Sequence, residues 1–229
     1  MPPALAIVLS YVVGSTPAAY VAGRMRGVDL RKQGSGNLGA TNVFRVLGAR
    51  IGLVVFAIDL AKGALPVIVL PRLSTGALDP VLLAIACGAA AILGHTRPVF
   101  LGFGRGGKGV ATAAGVFLAL APIPTALTLL VFAVVLLSSG YVSLGSLVGA
   151  GMLPILILIS RGPRSPVLAI SILVAIFVFW THRSNIGRLR RGEEHRFGKR
   201  GAAPRWTTAL LAIGAVVILA VVVAARFAA

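Results

Sequence analysis

Long apolar runs succeed one another along the chain, near residues 4–22, 47–70, 79–96, 109–121, 124–140, 143–160, 166–182 and 206–227. A bilayer-crossing helix needs roughly 20 apolar residues, so the pattern predicts eight spans joined by short polar or Gly/Pro-marked connections. The fourth run is too short to cross alone at about 1.5 Å of rise per residue. Pro122 and Pro124 follow it, which predicts either a buried half-helix or a tight hairpin with the fifth run. The expected fold class is all-α, a polytopic integral membrane protein. No separate soluble domain, low-complexity tract or repeat interrupts the pattern.

Composition removes the competing classes. The chain has 229 residues, 58% hydrophobic and 12% charged, against about 25% charged in ordinary soluble domains. With a mean hydropathy of +0.98, too little polar surface exists to cover a globule in water. A soluble enzyme, a secreted disulfide scaffold and a disordered regulator are excluded. The formal net charge is +17, a value that in a soluble chain would suggest nucleic acid. Here 17 of the 22 Lys and Arg residues lie in the connections after the first, third and seventh runs. Those connections share one side when spans alternate, and excess Lys and Arg marks the cytoplasmic side. The expected topology has the N-terminus outside and three basic connections in the cytoplasm, with no nucleic-acid partner. The single cysteine, Cys87, falls inside an apolar run and is read as a small core residue. The start, MPPALAIVLS, lacks the basic region of a cleavable signal peptide.

The three basic connections also carry the candidate chemistry. The first reads RKQGSGNLGATNVFRVLG, residues 31–48. Gly34, Gly36 and Gly39 let successive N–H groups converge on an anion. Ser35, Asn37, Thr41 and Asn42 add side-chain donors, and Arg45 can fork two more onto phosphate. The second reads GHTRPVFLGFGRGGKGVAT, residues 94–112, with Gly106, Gly107 and Gly109 around Lys108. Its G-x-G-x-x-G pattern follows no strand, and the Walker-like spacing ends on Gly109 where Ser or Thr should bind magnesium, so both nucleotide motifs are rejected. What remains is a glycine-rich loop offering N–H groups and one Lys to phosphate at a helix start. His95, at a span end, is read as a helix-end hydrogen bonder and counted with the phosphate-binding set. The third reads WTHRSNIGRLRRGEEHRFGKR, residues 180–200. His182 and Asn185 are three apart, on one helical face with Arg188; the basic residues 190–200 read as a lipid-surface patch. Asp59 and Lys62, three apart within the second span, read either as an internal pair or as support for the site. Asp29 and Asp79 are isolated, and Glu193 and Glu194 fall in the basic tail. No carboxylate dyad, CxxC, HExxH or metal-ligand cluster is present, so neither a metal nor a cofactor is expected.

The segments KQGSGNLGATNVFRVLG, GHTRPVFLGFGRGGKGVAT and HRSNIGRLRRGEE, with DLAKGALPV and YVSLGS between them, resemble the bacterial acyl-phosphate:glycerol-3-phosphate acyltransferases, the PlsY family. The likeness covers roughly residues 4–195. It implies a seven-span helical core in the cytoplasmic membrane, with an active site at the cytoplasmic face. It implies transfer of a fatty acyl group from acyl phosphate to the 1-hydroxyl of glycerol 3-phosphate, giving lysophosphatidic acid and phosphate. It also implies functional coupling to the soluble acyl-phosphate synthase PlsX. Carried over onto this chain, the catalytic positions are Ser35, Arg45, Lys108, His182 and Asn185. Either His182 or a substrate phosphate oxygen could take the hydroxyl proton. No H-x-x-x-x-D follows His95, His182 or His195, unlike the acyltransferases that use acyl-carrier protein or coenzyme A. The chain departs from the resemblance in its last apolar run. It is therefore expected to be a membrane-embedded core over 1–200 with an additional C-terminal helix in 201–229. Two rival classes share some of these features: a transporter for an organic phosphate, and a scaffold that binds acidic lipid.

Overall fold

Every regular element among the described residues is helical. The computed structural model describes residues 1–197 and, beyond them, the helical positions Ala215, Ile218, Leu219 and Val222. Apart from those positions, the eighth run at 206–227 lies outside the described residues. Five stretches are long and apolar enough to cross a membrane: Pro3–Met25, Ala49–Leu73, Pro80–Leu101, Pro122–Ser139 and Val142–Arg161. Pro166–Thr181 with Arg183–Arg190 makes a sixth when the pair, bent by 58°, is taken as one. The fourth run forms only the short helix Val110–Leu120, as its length predicts. Leu53 and Val54, like Leu173 and Ile176, turn large apolar side chains outward, which suits a surface solvated by lipid.

The first span is broken, which hydropathy does not reveal. Helix α1 (Pro3–Gly14) stops and α2 (Ala18–Met25) begins after Pro17, whose ring and missing N–H prevent a continuous hydrogen-bond ladder. The break leaves the Thr16 carbonyl outside any helix, and the Lys62 ammonium donates to it at 2.8 Å. After α2 come the amphipathic α3 (Ala40–Leu47), the long α4 (Ala49–Val69), α5 (Pro80–Thr96) and α6 (Val110–Leu120). Residues Met1–Leu120 form one compact unit. Within it α4 packs on α3, α5 and α6, and α1 on α5. At the α4–α6 crossing, Gly63 faces the Thr112 carbonyl and Gly115 the Leu60 carbonyl so closely that a Cβ at either position would overlap backbone. Small residues at such a crossing let helix backbones meet where lipid supplies no hydrophobic drive. This contact fixes the start of α6, and hence the glycine-rich loop before it.

The chain from Ala121 onward makes a second unit. Here α8 (Val142–Arg161) packs against both α7 (Pro122–Ser139) and α9 (Pro166–Thr181), and α10 (Arg183–Arg190) follows α9 directly. Leu153, Leu156, Ile157, Val174 and Val178 are buried in it. Cys87, in the first unit, is fully buried and unpaired.

Candidate active site

The first glycine-rich connection is shaped from inside by Asn42. That side chain is 1% exposed, although its residue type and motif mark it as a substrate donor. Its Oδ1 accepts the Ser35 N–H at 2.8 Å. Its amide nitrogen donates to the carbonyls of Leu30 and Gln33 at 3.2 and 3.0 Å. Both amide protons are thus committed to the loop. Gly34 adopts φ +61, and a Cβ there would strike the Asn42 amide oxygen. The result is a tight turn that presents Ser35 at the surface, with Gly36 next to it at φ +70. Asn42→Ala removes three hydrogen bonds and leaves the buried Leu30 carbonyl without its amide donor, at about 1–3 kcal/mol for a buried group left unsatisfied. The variant is expected to melt several degrees lower in detergent and to lose activity together with that stability.

The remaining motif residues surround this turn. Gly39 is extended and precedes α3, Thr41 is half-buried in the first turn of that helix, and Arg45 is exposed in its last turn. The Asn37 Oδ1 atom is buried and accepts no hydrogen bond. Asp29 is not isolated: Arg31 forks onto both carboxylate oxygens at 2.9 and 2.8 Å. That guanidinium holds the Asp29 carboxyl well below the usual carboxylate range, and it also lies over the Tyr20 ring.

The second connection folds back on the end of α5. Gly106 N–H donates to the Thr96 carbonyl at 3.0 Å and Gly107 N–H to the His95 carbonyl at 3.3 Å, satisfying acceptors that a helix end leaves open. Gly107 also lies against the Leu38 carbonyl of the first connection. The two motifs are therefore in contact. Lys108 follows, half-buried, and Gly109 at φ +84 turns the chain into α6.

Behind the two loops lies a buried charged cluster. Lys62 and Asp59 form an ion pair at 2.8 Å, with side chains 6% and 2% exposed. The pairing expected from their spacing is present. His95 Nδ1 stands 3.5 Å from Asp59 Oδ1, longer than an ordinary hydrogen bond. The ring edge bearing Nε2 faces Gly107. These three side chains, with Ser15, Gly106 and Gly107, line one small cleft.

In the second unit, His182 sits at the bend between α9 and α10 and not within one helix. Its side chain is buried, with Nδ1 2.8 Å from the Val178 carbonyl. A carbonyl can only accept, so Nδ1 carries the proton and in the neutral ring Nε2 holds the lone pair. Asn185, in the first turn of α10, donates to Glu194 Oε1 at 2.7 Å. Ser143 donates to the same oxygen at 3.2 Å, and Arg188 Nε to Oε2 at 2.7 Å. Burial would raise the Glu194 pKa, but the hydrogen bonds from Arg188 and Asn185 outweigh it and hold the carboxyl below its ordinary value.

A family model described as glycerol-3-phosphate acyltransferase matches residues 4–192. The chain belongs to that family. It is 48% identical over 197 residues to a glycerol-3-phosphate acyltransferase of Synechococcus elongatus, covering 84% of this chain and 93% of the relative. A Geobacter sulfurreducens glycerol-3-phosphate acyltransferase is 43% identical over 190 residues, covering 82% and 94%. Among solved structures, PlsY in its glycerol 3-phosphate form, an integral membrane acyltransferase, aligns with a TM-score of 0.79 at 37% identity, covering 86% of this chain and 96% of that one. The lysophosphatidic acid form of PlsY aligns at 0.77 and 36%. As in that family, this chain is an integral membrane protein.

Sequence reasoning missed two of the family member's buried groups. Glu194, which the sequence places simply in the basic tail, has a side chain only 7% exposed that gathers Asn185, Arg188 and Ser143. Ser143 lies in the YVSLGS segment but was given no role. The available signal was a carboxylate closing the HRSNIGRLRRGEE motif, in a chain with only 5 acidic residues.

Proposed function

We propose that this membrane-embedded glycerol-3-phosphate acyltransferase takes its acyl group from acyl phosphate. The observation that carries the reading is the contact at Gly107, which brings the Ser35 turn and the Lys108 loop together in a chain with no H-x-x-x-x-D motif. Acyl phosphate is a mixed anhydride whose phosphate leaves without prior protonation. The glycerol 3-phosphate 1-hydroxyl oxygen attacks the acyl carbon and the carbon–oxygen bond to phosphate breaks. The hydroxyl proton passes to a phosphate oxygen of substrate, and the products are lysophosphatidic acid and phosphate.

In this reading the backbone N–H groups at Gly34, Gly39 and Gly109, with Asn37 and Thr41, cradle phosphate, while Gly36, Gly106 and Gly107, whose N–H groups donate to the Gln33, Thr96 and His95 carbonyls, shape the two loops around it. Asn42 serves them by holding the turn. Ser35, Arg45 and Lys108 stabilise the charge on the departing phosphate. His182 Nε2 and Asn185 orient the acceptor, so that positioning supplies most of the rate. The basic connections support a site on the cytoplasmic face of the bacterial inner membrane, with the N-terminus outside. Acyl phosphate as donor supports coupling to a soluble acyl-phosphate synthase of the PlsX type. The C-terminal apolar run lies beyond the family match at residue 192, and packing or assembly is its assigned role.

The test supplies purified protein in detergent with glycerol 3-phosphate and either palmitoyl phosphate or palmitoyl coenzyme A. Equal yields of phosphate and lysophosphatidic acid, from palmitoyl phosphate only, are expected. Product from palmitoyl coenzyme A alone would overturn the donor assignment. Phosphate release without lipid would overturn the assigned acceptor.

A further inference from the structure

We propose that His95, seated against the buried Asp59–Lys62 pair, is a positioning residue that fixes the backbone at Gly106–Gly107 and through it the placement of Lys108. The inference rests on the reading above, in which Lys108 contacts substrate phosphate.

Asp59 and Lys62 neutralise each other on α4, and Lys62 also closes the break in the first span through the Thr16 carbonyl. As a staple between helices the pair is complete without a third group. Yet His95 brings a further polar ring into the same cleft, 5% exposed, with Nδ1 directed at the Asp59 carboxylate. Polar groups are costly at membrane depth and are retained where they serve a site. The opposite edge of the ring supplies the use. Nε2 faces Gly107, the His95 carbonyl accepts the Gly107 N–H, and a Cβ at Gly106 would collide with that carbonyl. A Cβ at Gly107 would collide with Nε2.

Gly107 therefore lies against both the imidazole and the Leu38 carbonyl of the first connection. Any shift of the ring passes into both phosphate-binding loops. Lys108 is the next residue, so its Cα has little independent freedom. A displacement of about 1 Å at a reacting centre costs up to about a hundredfold in rate, which sets the effect to expect.

The experiment measures kcat and KM for glycerol 3-phosphate, and the melting temperature, in full-length enzyme with palmitoyl phosphate as donor. The variants are His95→Ala, Lys108→Ala and the double variant. His95→Ala is expected to lower kcat/KM about tenfold to a hundredfold in the unmodified background. On the Lys108→Ala background it should cost no more than about twofold, the scatter seen between independent changes. Its effect on melting should be the same in both backgrounds. A merely structural role would cost the same factor in activity with or without Lys108, and that result overturns the inference. Near-normal turnover of His95→Ala also overturns it. Near-normal turnover of Lys108→Ala would instead overturn the site reading on which it rests. Should His95→Ala not fold, His95→Gln in the same two backgrounds replaces it, since it withdraws the ring from Gly107 while keeping a polar group beside Asp59. The expected and overturning outcomes are then unchanged.

Discussion

Lys108→Ala enzyme is expected to lose about tenfold to a hundredfold in kcat/KM for glycerol 3-phosphate while still eluting as folded protein. Lys108 is half-buried, placed between a glycine held against two neighbours and a second glycine at φ +84 that opens α6. With its backbone held in that way, Lys108 delivers its ammonium to phosphate from a fixed starting point. A charge-assisted hydrogen bond is worth about 1.5–3 kcal/mol, and about 1.4 kcal/mol is a factor of ten. Lys108→Arg should recover only part of the loss, because a planar guanidinium cannot occupy the place of a compact ammonium. Steady-state rates with palmitoyl phosphate, beside melting curves, decide the matter. Turnover close to the unmodified enzyme would remove Lys108 from the chemistry.

Much of this architecture is written in local patterns. Seven apolar runs outside the C-terminal segment correspond to helices, and the shortness of α6 follows from counting residues. The Asp59–Lys62 pair follows from a spacing of three on one helix. Other features depend on partners far away in sequence, where periodicity carries no information. Pro17 announces a break, but only the fold shows that Lys62, 46 residues beyond Thr16, donates to the Thr16 carbonyl. Asn42 has the composition of a substrate donor and is instead consumed by the loop. The pairing of Asp29 with Arg31 is within reach of the sequence, since a single residue separates them. The three basic stretches thus divide into groups that face outward, such as Ser35 and Arg45, and groups that hold a motif in shape, such as Asn42.

Glu194 belongs to the holding groups, and its removal is the second change expected to have a large effect. Glu194→Ala leaves Asn185 and Ser143 without their acceptor and Arg188 without its carboxylate, in a pocket where the Glu194 side chain is 7% exposed. A hydrogen bond to a charged group contributes about 1.5–3 kcal/mol. Arg188 is 29% exposed and its share is reduced by solvent, so a net loss of about 2 kcal/mol is expected. Activity should fall with it, because Asn185 loses the contact that orients its amide. Glu194→Gln isolates the charge: it keeps an acceptor for Asn185 but turns an N–H toward Arg188. The native carboxyl has a pKa below its ordinary value of 4.5. Its contribution is therefore complete above about pH 4.5 and is lost as the pH falls through the lowered native value. Melting temperatures of the unmodified and Glu194→Gln proteins should differ fully at pH 7 and converge in acid. A gap that stays constant down to acid pH would mean that the Glu194 carboxylate does not hold Asn185 and Arg188 through its charge.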